Sequence, residues 1–115
     1  MLIRGGLVVS AIFLFFTALT AQAGDPGSVR IIYPSDDAAL SVSGENYVKY
    51  EFTKGDEGDH IHIWIDGEKS PAQRATNGSY ELPKISSGKH AIIAKLVNKA
   101  HIPVGPEKSI FVTVK

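Results

Sequence analysis

Four histidines are the side chains best suited to chemistry: His60, His62, His90 and His101. His60 and His62 sit one residue apart in the run His60-Ile61-His62-Ile63-Trp64-Ile65. A strand sends side chains two apart to one face, about 7 Å from each other along the chain. Two imidazoles so placed can grip a single ion. The isoleucines of the same run claim the core, so both rings are expected to point outward, within reach of solvent and metal. The chain has no cysteine and Met1 is its sole methionine. Disulfides, thiol nucleophiles, Cys-ligated zinc, iron–sulfur clusters, blue copper and thioether copper(I) sites are therefore excluded. Imidazole with an optional oxygen ligand suits zinc, copper(II) or nickel, with copper(II) or zinc the expected cofactor. No nucleophile elbow, phosphate-cradling glycine loop or zinc-protease helix motif is present. A non-enzymatic domain is expected.

The elements that must position these rings are strands. Apolar residues recur at period two in short runs broken by Gly, Pro, Asn and Asp. Val29, Ile31 and Tyr33 alternate, as do Val48, Tyr50 and Phe52, then Ile61, Ile63 and Ile65. Asp66-Gly67 reads as a turn, and Asn77-Gly78 as a hairpin turn ahead of Tyr80 and Leu82. His90, Ile92, Ala94 and Leu96 form an inward series after Ser86-Ser87-Gly88, and Ile110, Val112 and Val114 close the chain. Strands over residues 29–33, 47–52, 60–65, 79–82, 90–97 and 109–114 predict an all-β fold, an immunoglobulin-like antiparallel β-sandwich of about seven strands.

In such a sandwich the loop of residues 53–59 and the loop of residues 98–108 emerge at the same end. The second carries His101, so His60, His62 and His101 are expected to form a metal site. Asp59 and His90 are possible additional ligands, and Asp56 and Glu57 add carboxylates nearby. For His90, at the far end of its strand, a ring capping the core and bonded to backbone is the competing role. Trp64, Ile93 and Phe111 are expected on the outward sheet face, either as an interaction surface or as a stripe covered by lysine stems.

Residues 1–23 carry Arg4 as their only charge, an apolar stretch from Leu7 to Leu19 and a terminal Ala21-Gln22-Ala23. These are the three parts of a secretory signal peptide, and the stretch falls short of the ~20 residues a bilayer span needs. The expected organisation is a signal peptide at 1–23 and one sandwich domain at 24–115, periplasmic or secreted, with no membrane association after cleavage. Residues 24–28 read as a flexible leader. Lys+Arg 12 against Asp+Glu 12, with no basic run, argues against nucleic-acid binding. An unknown envelope protein, or a second copy of the chain, is the expected partner.

The order of segments resembles a group of small secreted bacterial proteins with immunoglobulin-like domains. The resemblance rests on Val29-Arg30-Ile31-Ile32-Tyr33-Pro34, on residues 59–67 with their His-x-His, on Gly88-Lys89-His90 and on Asn98-Lys99-Ala100-His101-Ile102-Pro103. It spans roughly residues 29–115. It implies an exported sandwich and matches all four histidines to the group's pattern. Asp59 stands where many members have a further histidine or glycine, and Asn98 where aspartate is usual.

Overall fold

The computed structural model describes residues 24–115; the segment read as a signal peptide lies outside them. The described residues form eight strands: β1 (Ser28–Tyr33), β2 (Ala38–Leu40), β3 (Tyr47–Thr53), β4 (His60–Ile65), β5 (Glu68–Lys69), β6 (Asn77–Glu81), β7 (Gly88–Val97) and β8 (Pro103–Val114). They make two sheets, one ordered β1-β3-β6 and the other β2-β8-β7-β4-β5. This is the immunoglobulin-like sandwich that the alternating pattern predicts. All pairings are antiparallel except β2 with β8, which run parallel over Leu40↔Val114 and its two preceding partners.

The inward series meet between the sheets. Val48, Tyr50 and Phe52 from β3 pack against Ile61 and Ile63 from β4, Ile92, Ala94 and Leu96 from β7, and Ile110, Val112 and Val114 from β8. Each fully buried aliphatic side chain of this kind contributes about 1.5–3 kcal/mol relative to exposure, and with no disulfide this core holds the domain.

Three elements differ from the sequence expectation. Asn77 and Gly78 are not a hairpin turn; they lie in β6, opposite Glu51 and Tyr50. Gly78 is needed there because a Cβ would stand 2.7 Å from the Tyr50 hydroxyl. The loop carrying His101 ends at 102 rather than 108, because β8 begins at Pro103 and pairs Glu107 with Lys95. Its first half is paired on one side only, since β2 reaches no further than Val112, and an edge tolerates Pro103, Gly105 and Pro106. The leader is held rather than loose: Asp25 N–H donates to Asp56 Oδ2 at 2.9 Å, and Asp56 N–H donates to the Asp25 carbonyl at 2.8 Å. Asp66-Gly67 is the expected turn, with φ of 50° and 90°, joining β4 to β5.

Candidate metal centre

β4 carries two of the histidines and the β7–β8 connection carries the third. In β4, Ile61 and Ile63 face the core, so His60 and His62 face away from it, as the alternation requires. His60 pairs with Val97 at the last residue of β7, which brings the loop of residues 98–102 over the start of β4. Asn98 builds that loop. Its side-chain oxygen accepts from Ala100 N–H at 2.9 Å and Ile102 N–H at 3.1 Å, and its backbone N–H donates to the Ile102 carbonyl at 2.9 Å. The turn places His101 in the left-handed region at φ 67°.

The outcome is a tripod of nitrogens. Nε2 of His60 and Nε2 of His62 are 3.2 Å apart; Nδ1 of His101 lies 3.1 Å from the first and 2.9 Å from the second. His60 and His62 are not solvent-facing as expected from the outward half of the alternation. They are 0% and 3% exposed, and only His101 is open to solvent. The rings cover one another and Trp64 covers His62, with ring centroids 4.9 Å apart for His60–His62 and 5.8 Å for His62–Trp64. On the other flank residues 70–73 extend the sheet edge, exchanging backbone hydrogen bonds between Gln73 and Ile61 at 2.8 and 3.1 Å.

The partners of the remaining ring nitrogens fix the tautomers. Nδ1 of His62 lies 2.8 Å from the Ser70 carbonyl, an acceptor only, so this nitrogen carries the proton and Nε2 presents a lone pair. Ser70 is fixed in turn, its hydroxyl accepting from Ile63 N–H at 2.9 Å and donating to the Pro71 carbonyl at 2.8 Å. Burial pushes the His62 pKa down and favours its neutral form. Nδ1 of His60 donates to Asp59 Oδ2 at 2.8 Å, and the same oxygen accepts from Arg74 Nη1 at 3.1 Å. The hydrogen bond from His60 is the main cause that holds Asp59 below the usual carboxylate range. Asp59 thus lies outside the group of three nitrogens and orients the His60 ring.

Two lone pairs therefore face each other at 3.2 Å, with at most one neutral-ring proton, on His101 Nδ1, available to both. A cation at the centre satisfies all three nitrogens at once. Carboxylate and carbonyl partners on the far nitrogens are the outer support that metal-bound histidines ordinarily have.

His90 is elsewhere. It pairs with Val112 near the start of β7, where Nδ1 contacts Asp66 and Nε2 donates to the Ser86 carbonyl at 2.8 Å. Both nitrogens are engaged, so His90 is a structural clamp and no part of the tripod. Arg74 and Ser70, which support the site, carry no sequence signal for that role; only the fold brings them beside β4. Trp64 faces Ile93 across the β4–β7 ladder and Phe111 faces Ala91 across β7–β8. The Lys95 ammonium lies 5.0 Å above Trp64 and that of Lys89 4.8 Å above Phe111, so lysine side chains extend over part of this stripe while Phe111 stays exposed. No helix among the described residues is long and apolar enough to cross a membrane.

Neither a protein-family model nor a curated protein matches this sequence. Solved structures similar to the chain share its fold. The fibronectin(III)-like modules of Clostridium thermocellum CbhA align with TM-score 0.64 and 17% identity, over 79% of this chain and 47% of that one, so the chain spans about half the length of that structure. The CARDB domain of a Pyrococcus furiosus protein, solved in complex with di-metal ions, aligns with TM-score 0.54 and 13% identity, over 82% of this chain and 90% of that one. The extracellular domain of a one-component system from B. thetaiotaomicron aligns with TM-score 0.50 and 12% identity, over 82% of this chain and 16% of that one. What the chain shares with these structures is the fold, an immunoglobulin-like two-sheet sandwich.

Proposed function

We propose that this chain is an exported, non-catalytic metal-binding domain that holds one divalent transition-metal ion on Nε2 of His60, Nε2 of His62 and Nδ1 of His101. The observation that carries the reading is the convergence of these three nitrogens within 3.2 Å of one another, two of them with their protons committed to the opposite side of the ring. Zinc fits better than copper(II). A tetragonal copper(II) site would spread three nitrogens in a plane, with one pair about 4 Å apart across the metal given bonds near 2.0 Å, whereas a tetrahedral ion accepts three close nitrogens on one side. The signal-like pattern at residues 1–23 supports export to the periplasm or beyond, as does the likeness to an extracellular domain. The segments that resemble those of small secreted bacterial proteins point the same way. The lysines over Trp64 and Phe111 weigh against an apolar docking stripe for an envelope partner or a second copy.

Isothermal titration of residues 24–115 with zinc tests the reading. One ion per chain is expected, with binding lost in His62→Ala. Equal, weak uptake by both proteins overturns it.

A further inference from the structure

The tripod fixes where its ligands cannot be. With metal–nitrogen bonds of about 2.0–2.1 Å, separations of 2.9–3.2 Å would subtend roughly 90–105° at an ion that these nitrogens held. All three ligands lie on one side of it. Among the described residues no carboxylate or further histidine joins the group on the other side. Asp59 is already engaged by His60 and Arg74, and Asp56 by the Asp25 backbone.

The three ligands are also held unequally. His60 and His62 are buried, and each is pinned through its second nitrogen, one by an ion-paired carboxylate and one by a carbonyl whose residue is itself doubly hydrogen-bonded. His101 is exposed, and its Nε2 has no hydrogen-bond partner among the described residues. Its backbone is fixed by Asn98, so the ring can swing away about its side-chain torsions while the loop keeps its shape.

The loop that carries His101 borders an acidic depression. Asp56, Glu57 and Asp59 share a shallow depression with Asn98, Lys99 and Ala100 next to His101. Three carboxylates stand against the Lys99 ammonium and the Arg74 guanidinium paired with Asp59, a surplus of one negative charge that favours a cation over an anionic donor. A neutral imidazole meets no such barrier and matches the group it replaces.

We propose, building on the metal-binding reading above, that the centre is an exchange site: an imidazole from another molecule enters on the side of the ion that lacks protein donors, and His101 is the ligand it displaces. One metal–nitrogen bond forms, the bond to His101 Nδ1 breaks, and no electron or net proton is transferred. Two further imidazoles of the incoming histidine-bearing chain then replace His60 and His62 in turn, one metal–nitrogen bond forming for each that breaks. The partner class is a protein segment rich in exposed histidines.

Cobalt(II) in place of zinc makes the coordination visible. The chain of residues 24–115, loaded with one equivalent of cobalt(II), is titrated with imidazole or acetate, and ion transfer to a hexahistidine peptide is followed by stopped flow. The expected results are a saturable change of the visible band with imidazole, little change with acetate at equal concentration, and a transfer rate rising linearly with peptide. His101→Asn, which retains a residue tolerant of the left-handed backbone, is expected to transfer at least tenfold faster. A rate independent of peptide concentration, or unchanged in His101→Asn, overturns the exchange proposal while leaving the site a metal site. Failure to take up cobalt(II) or zinc at all overturns the metal reading and this one with it.

Discussion

Single residues decide the character of the histidine cluster, and Asp59 shows how. It accepts from His60 at 2.8 Å and from Arg74 at 3.1 Å, so it fixes a ring orientation from outside the group of three nitrogens. Replacing it by asparagine keeps an acceptor and removes the charge. Zinc affinity of Asp59→Asn is expected to fall by about tenfold, the lower end of what outer-shell substitutions cost, as read by calorimetry. His90 makes a second residue-scale prediction. The hydrogen bond to Asp66 raises the His90 pKa, and the same bond depresses that of Asp66. A raised histidine stabilises the fold fully below its unfolded value near 6.5 and loses that contribution as pH climbs through the folded value. A depressed carboxylate contributes above its unfolded value near 3.9 and loses it as pH falls through the folded one. The pair therefore counts most between about pH 4 and 6.5. Because Asp66 is half exposed, His90→Gln is expected to cost only about 0.5–1 kcal/mol at pH 5.5. The cost should shrink toward pH 9, as read by urea unfolding at both values.

At the scale of elements, the loop entering β4 and the hairpin loop after β7 set the geometry. Gly58 permits the first: a Cβ there would stand 2.5 Å from the Lys54 carbonyl oxygen and 2.6 Å from Leu96 Cδ2. Gly58→Ala is expected to destabilise the domain by about 1–3 kcal/mol, as overpacking does, and to weaken zinc binding by displacing His60; urea unfolding and calorimetry check the two. These elements also show what a sequence can and cannot disclose. Strict alternation in Ile61, Ile63 and Ile65 made β4 and its two faces legible, and immunoglobulin topology then brought His101 to the correct end. Alternation says only which face a ring is on. It says nothing of what lies over that face, so the burial of His60 and His62 beneath His101, Trp64 and the 70–73 segment could not be read. The start of β8 was hidden because Pro103, Gly105, Pro106, Glu107 and Lys108 lack an apolar period. Asn77-Gly78 misled because a glycine chosen to make room for the Tyr50 ring has the same letter as one chosen for a turn.

For the whole molecule, the sandwich is a scaffold shared at low identity, and among the described residues the histidine cluster is the group suited to hold a metal ion. A small core without disulfides leaves room for a bound ion to add visibly to stability. At free zinc one hundred times its dissociation constant, binding contributes about 2.7 kcal/mol. For a domain of this size that corresponds to a rise in Tm of roughly 10 °C or more. Differential scanning calorimetry with and without zinc checks this. The wild-type chain is expected to shift and His62→Ala to remain where it was.

All three nitrogens come from one sheet: β4 supplies two, and the turn from β7 to β8 supplies one. The opposite sheet, β1-β3-β6, contributes none. The centre is thus portable in principle. A foreign sandwich given His-x-His on its third long strand, the Asn98–Ile102 turn and the Ser70–Arg74 flank has the full donor set, and its own second layer need not be redesigned to accept the graft.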